Sequence, residues 1–115
     1  MLNIFHGIHQ GPLPALTSEE VELAVNLRRH VQTLSTEIGV RNILTRPKEF
    51  ELAPAYIESV FTKLGYKTDS QYYSLRSDRY ALPLTEVRNL EAELVGSGKP
   101  TEIIVLGAHY DSVRD

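Results

Sequence analysis

The stretch Thr101-Glu102-Ile103-Ile104-Val105-Leu106-Gly107-Ala108-His109-Tyr110-Asp111-Ser112-Val113-Arg114-Asp115 decides how the rest of the sequence is read. Its apolar run, 103–106, is unbroken, rich in β-branched residues and bounded by Glu102 and Gly107. Such a run is the pattern of a strand buried on both faces. Directly downstream come His109 and, two residues on, Asp111. Ligands of open α/β sheets gather at the carboxyl ends of strands, so an imidazole and a carboxylate there stand where chemistry is usually done.

Upstream, Gly96-Ser97-Gly98-Lys99-Pro100 is a turn, and before it 87–95 alternates. Leu90, Ala92 and Leu94 fall on one face and Asn89, Glu91 and Glu93 on the other, which predicts a half-exposed strand. The turn predicts that this strand and 103–108 are antiparallel neighbours. Further back, Tyr66, Thr68, Tyr72, Tyr73 and Leu75 are strand formers, predicting an extended edge segment over 66–75. The charges and Pro83 within 77–85 read as loop.

Two helices are predicted ahead of these strands. Thr17 followed by Glu20 is a capping box, with Leu16 and Val21 at the positions of a hydrophobic staple. Ala24, Leu27, Val31, Leu34 and Ile38 then recur at helical spacing until Gly39 stops the pattern. His30 lies beside that stripe and reads as a partly exposed surface histidine. After a link over 40–46, the second pattern runs Phe50, Ala53, Ile57, Val60, Phe61 and Leu64 and closes at Gly65. Pro47 suits a first turn, where its missing N–H is no loss. Pro54 is harder to place: either the helix starts there or it is kinked there, and a kink is expected.

Residues 1–16, with Gly7, Gly11, Pro12 and Pro14, form an irregular lead-in, and 17–115 form one domain. The order helix, helix, strand, strand, strand predicts an α/β domain whose helices cover one face of the sheet. No helix follows 103–108 to cover the other, so the layout predicts an open edge, bare apolar area and a core cut short.

Composition bounds the function. The chain has 115 residues, 42% hydrophobic and 23% charged, as ordinary globular domains do. A net charge of −3 with no basic block argues against a nucleic-acid partner. Without cysteine, disulfides and thiolate sites are excluded, and any metal falls to His, Asp and Glu. Residues 1–10 carry neither the basic n-region nor the apolar h-region of a secretory signal. No apolar run approaches the ~20 residues of a membrane span.

Several motifs carry less than they promise. His6 and His9 are three apart, a metal spacing on a helix, but the glycines and prolines around them favour a solvated tail. Gly96-Ser97-Gly98-Lys99 resembles a phosphate loop, yet Glu93 occupies the first-glycine position and Pro100 replaces the magnesium-binding hydroxyl. Ser112 beside His109 and Asp111 is no hydrolytic triad, because the nucleophile elbow is absent. His109-x-Asp111 is stronger. Residues two apart on an extended chain point to one side, so Asp111 can orient the His109 imidazole as a metal ligand. The alternative is a histidine hydrogen-bonded in a turn.

Gly107-Ala108-His109-Tyr110-Asp111-Ser112-Val113, preceded by Ile103-Ile104-Val105-Leu106, resembles the first metal-binding motif of the M28 family of zinc aminopeptidases. Asn89-Leu90-Glu91-Ala92-Glu93-Leu94-Val95-Gly96 resembles the strand ahead of that motif, and Ile38-Gly39-Val40-Arg41-Asn42 an element after the first helix. Ala55-Tyr56-Ile57, Leu64-Gly65-Tyr66 and Gln71-Tyr72-Tyr73 follow the family's order, so the likeness spans roughly 20–113.

The resemblance implies the N-terminal part of a three-layer α/β/α sandwich with a mixed sheet, truncated. It implies that His109 ligates one of two Zn2+ ions and that Asp111 is the catalytic-site carboxylate beside it. In such enzymes two metals clamp the attacking water on a peptide substrate and a glutamate is the general base. The family's bridging aspartate, glutamate pair, further aspartate and second histidine come later than Asp115, which lacks the turn that carries the bridging residue. The 115-residue chain is therefore expected to be inactive alone. Glutaminyl cyclases share a similar His-Tyr-Asp-Ser stretch but usually follow it with lysine, where Val113 stands here. A non-catalytic module that kept the fold and lost its metals is the alternative from a different class. Many family members are secreted or periplasmic.

Overall fold

The computed structural model describes residues 11–99 and 101–113. His6, His9, Pro100 and Asp115, and with them most of the lead-in, lie outside the described residues. Two α-helices precede a two-stranded antiparallel sheet, so the content is α/β.

The first helix, α1, spans Ser18–Gln32 and begins as the capping box predicts. The Thr17 N–H donates to Glu20 Oε2 at 2.8 Å, and the Glu20 N–H donates back to Thr17 Oγ1 at 3.2 Å. Glu19 and Glu20 in the first turn, with Arg29 and His30 in the last, suit the helix dipole. The helix then widens into a π-turn over Thr33–Glu37, closed by the Ile38 N–H to the Thr33 carbonyl at 2.9 Å. Gly39 follows at φ 74°, a left-handed value that ends the helix and that glycine adopts without strain. The apolar stripe of α1, however, is not buried: no residue of the helix is, and Val31 is 65% exposed. The expectation that both helices cover the sheet is corrected for α1, which touches α2 through His30 and Tyr56 instead.

The second helix, α2, spans Pro47–Lys63, with Pro47 in the first turn. It runs through Pro54, so the alternative in which it starts there is corrected. Pro54 is fully buried, and the hydrogen bond that its missing N–H denies to the preceding turn is offset by packing.

The strands β1, Thr68–Ser77, and β2, Leu82–Ala92, pair antiparallel with Tyr72 opposite Arg88 and Gln71 opposite Asn89. They are joined by a 3₁₀ turn over Asp78–Tyr80 and by Ala81 at φ 52°. The loop predicted over 77–85 is thus much shorter, and Pro83 sits within β2 just past an irregularity between Leu75 and Ser77. A break in the ladder is where a strand tolerates proline. The predicted alternation holds at Leu90 and Ala92, which are half-buried against exposed Asn89 and Glu91. Leu94 lies beyond the strand end and is exposed.

The partner of β2 is therefore β1, and the predicted pairing of 87–95 with 103–108 is corrected. Closing a short local turn costs less chain entropy than closing a longer connection, which favours the β1–β2 hairpin. The predicted buried strand is likewise corrected. Residues 103–106 form no strand and are exposed, from 84% at Ile103 to 94% at Leu106.

What core there is lies between α2 and the hairpin. Phe50, Ala53 and Pro54 are buried on the helix, and Leu82 and Val87 on β2. Arg88 Nη1 donates to Glu58 Oε2 at 3.2 Å and to Ser70 Oγ at 3.0 Å, so one guanidinium links α2, β1 and β2. Burial works against the Arg88 charge, but the hydrogen bond and charge of Glu58, helped by Tyr72, outweigh it and raise its pKa. The radius of gyration is 18.7 Å. A compact domain of this length would have about 13 Å, so the arrangement is open and its core small.

Candidate functional site

His109 and Asp111 come together as their spacing predicts. Nδ1 of His109 lies 3.1 Å from Oδ1 of Asp111. The acceptor is a carboxylate, so the neutral ring donates from Nδ1 and keeps its lone pair at Nε2. The His109 side chain is 95% exposed and that of Asp111 50%, so Nε2 is open to an incoming ligand.

The segment carrying the pair belongs to no sheet and bends at Asp111, and it is pinned from behind by the link after α1. The Arg41 N–H donates to Ser112 Oγ at 3.0 Å, and the Ser112 N–H donates to the Arg41 carbonyl, also at 3.0 Å. Asn42 Nδ2 donates to the Ser112 carbonyl at 3.2 Å. The Arg41 guanidinium donates from Nε to the Tyr110 carbonyl and from Nη1 to the carbonyls of Leu34 (2.6 Å) and Gly39 (2.9 Å). Leu34 and Gly39 lie where α1 runs out, so Arg41 satisfies carbonyls that the helix end leaves open. Asn42 Oδ1 in turn accepts from the Leu44 N–H at 3.0 Å, fixing the turn into α2.

Tyr110 supplies the anchor on the other side. Its hydroxyl donates to the Arg88 carbonyl on β2 at 2.7 Å, and its ring centroid lies 5.4 Å from that of Phe50 on α2. Burial, followed by the nearby charge of Glu51, pushes the Tyr110 phenol above its ordinary value. Along 109–111 the chain therefore alternates, with Tyr110 turned into the molecule and His109 and Asp111 turned out. A period of two is that of a strand, although these residues pair with none among the described residues.

Ser112, set aside as a nucleophile, has a structural role: its backbone and hydroxyl hold the motif to Arg41 and Asn42. His30 is half-buried, with Nδ1 2.7 Å from the Tyr56 hydroxyl, and joins the two helices. The sequence pattern points to His109 and Asp111 but not to the residues that hold them. Arg41 could have been found as a lone cation just after a helix-ending glycine, where carbonyls await donors.

As a metal site the arrangement is partial. The exposed Nε2 and the carboxylate behind the ring suit one zinc ligand with its orienting partner. Among the described residues no group of three or more His, Asp or Glu converges, and zinc sites take about three to four protein ligands. The chain matches no family model, no curated protein and no solved structure among those it was compared with.

Proposed function

We propose that the chain is the N-terminal portion of an M28-type zinc aminopeptidase domain, in which His109 contributes one metal ligand and Asp111 is the carboxylate beside it. The observation that carries this reading is the His109–Asp111 hydrogen bond at 3.1 Å on a ring whose Nε2 is left free. Two further observations support it. The elements resembling the family, 38–42 and 107–113, are hydrogen-bonded to one another. The apolar run 103–106 is exposed on every residue, as a strand separated from its neighbours would be.

In this reading the run is a central strand of a three-layer α/β/α sandwich in the whole domain. The remaining ligands and the general base come from further chain. Bound zinc would polarise the scissile carbonyl and acidify a water. The described residues contribute the oriented His109 imidazole and the frame that holds it. No step of peptide hydrolysis belongs to these residues alone.

Two measurements test the reading. Reading the coding DNA past codon 115 in frame is expected to show an aspartate, a Glu-Glu pair and a histidine. Their absence would favour a metal-free binding module of the same fold. The purified 115-residue chain is expected to hold zinc substoichiometrically and to leave an aminoacyl-anilide intact. Tight stoichiometric zinc with turnover would overturn the claim that the chain is incomplete.

A further inference from the structure

We propose that Arg41 is a positioning residue for the His109–Asp111 pair, acting through the backbone of Tyr110 and Ser112. The metal role of the pair rests on the reading above; the positioning does not.

Residues 103–108 make no backbone hydrogen bond to the rest of the described chain, so the pair is not held by the ladder that would set a strand end. It needs another frame. Arg41 is tied by its own side chain to the Leu34 and Gly39 carbonyls. From that fixed point Nε holds the carbonyl of Tyr110, the residue between His109 and Asp111. Its backbone exchanges hydrogen bonds with Ser112, the residue after Asp111.

The peptide units on either side of Asp111 are thus fixed to one residue. A carboxylate whose backbone is fixed on both sides has few ways to turn from the ring two positions before it. Among the described residues, the exposed His109 and Asp111 side chains make no hydrogen bond besides the one to each other. The geometry that leaves Nε2 free thus depends on Arg41. A planar guanidinium with several donors at fixed angles suits three carbonyls on two segments; a lysine ammonium, at a single point, does not.

The test is the tautomer of the His109 imidazole, read by 15N shifts in the 115-residue chain, with Asp111→Asn marking loss of the carboxylate partner. The wild-type ring is expected mainly as the Nδ1–H form. Arg41→Lys is expected to move its shifts to those of Asp111→Asn while the β1–β2 amide shifts stay in place. Unchanged His109 shifts in Arg41→Lys would overturn the proposal.

Arg41 also closes the end of α1, and its replacement can unfold the link. A second variant, Ser112→Ala, therefore removes the hydroxyl contact from the other side. It is expected to move the His109 shifts part of the way and to raise amide exchange at residue 112; no change in either would also overturn the proposal. The metal reading fails separately. If Arg41→Lys shifts the tautomer but no downstream ligands exist, positioning stands and the aminopeptidase assignment falls.

Discussion

The Tyr110 hydroxyl donates to the Arg88 carbonyl at 2.7 Å, tying the segment that carries His109 and Asp111 to the middle of β2. Together with the ring contact to Phe50, this bond fastens a stretch that has no strand partner among the described residues. Tyr110→Phe keeps the ring and removes the bond. It is expected to cost about 0.5–1.5 kcal/mol of the segment's local stability, the usual net worth of one hydrogen bond. Amide hydrogen exchange at Ser112, whose N–H is bonded to Arg41, reads that loss directly.

The same tyrosine gives a pH dependence whose sign follows from its shift. Burial and the charge of Glu51 raise the Tyr110 pKa above the ordinary 10.0, so the folded state holds the phenol proton more tightly than the unfolded one. The contribution is full below the unfolded value and is lost as pH rises through the folded one. Protection of the Ser112 amide, after correction for the intrinsic pH dependence of exchange, is expected to decline above about pH 10. Tyr110→Phe is expected to abolish the decline; the same decline in that variant would refute the assignment.

How legible this was in the sequence depended on whether the signal was local. The Thr17–Glu20 capping box, the stop at Gly39 and the helical start at Pro47 all appear where they were expected, because each involves a few adjacent residues. The His109–Asp111 contact is legible for the same reason: a spacing of two puts both side chains on one side of the chain, within reach of each other. Pairing was not. The alternation in 87–95 says that a strand exists and which side is apolar, but it does not name the neighbour. The 3₁₀ turn at Asp78–Tyr80 brings β1 alongside it. The pattern of 103–106 predicts burial that the structure does not show, because apolar sequence says what a strand needs rather than whether it finds it. The grip of Arg41 on Tyr110 spans 69 positions, beyond any periodic signal.

The link between α2 and the hairpin should be electrostatic in part. Arg88 is 16% exposed and meets Glu58 at 3.2 Å and Ser70 at 3.0 Å. Removing Glu58 leaves a mostly buried guanidinium without its carboxylate and with hydroxyl partners alone. Glu58→Ala is therefore expected to destabilise the helix–hairpin packing by about 1 kcal/mol, somewhat above an exposed pair. Glu58→Gln, which can still accept a hydrogen bond, should lose less. Urea unfolding of both variants at low and high salt separates the charge from the hydrogen bond. A salt-independent and equal loss in the two would contradict the ion-pair account.

The apolar run is the chain's main liability in isolation. Ile103, Ile104, Val105 and Leu106 are at least 84% exposed and without a strand partner among the described residues. An unpaired apolar segment with free N–H and C=O groups is a template for edge-to-edge association. Ile104→Lys places a charge in the middle of it, as natural sheets do on exposed edges. Since Ile104 is 87% exposed, the variant should change folding stability by no more than about 0.5 kcal/mol. It should nevertheless raise the concentration at which the chain begins to self-associate, measured by light scattering across a dilution series. Equal onset in wild type and variant would mean that association runs through another surface, and the exposed stripe of α1, with Leu27 and Val31, would be the next to test.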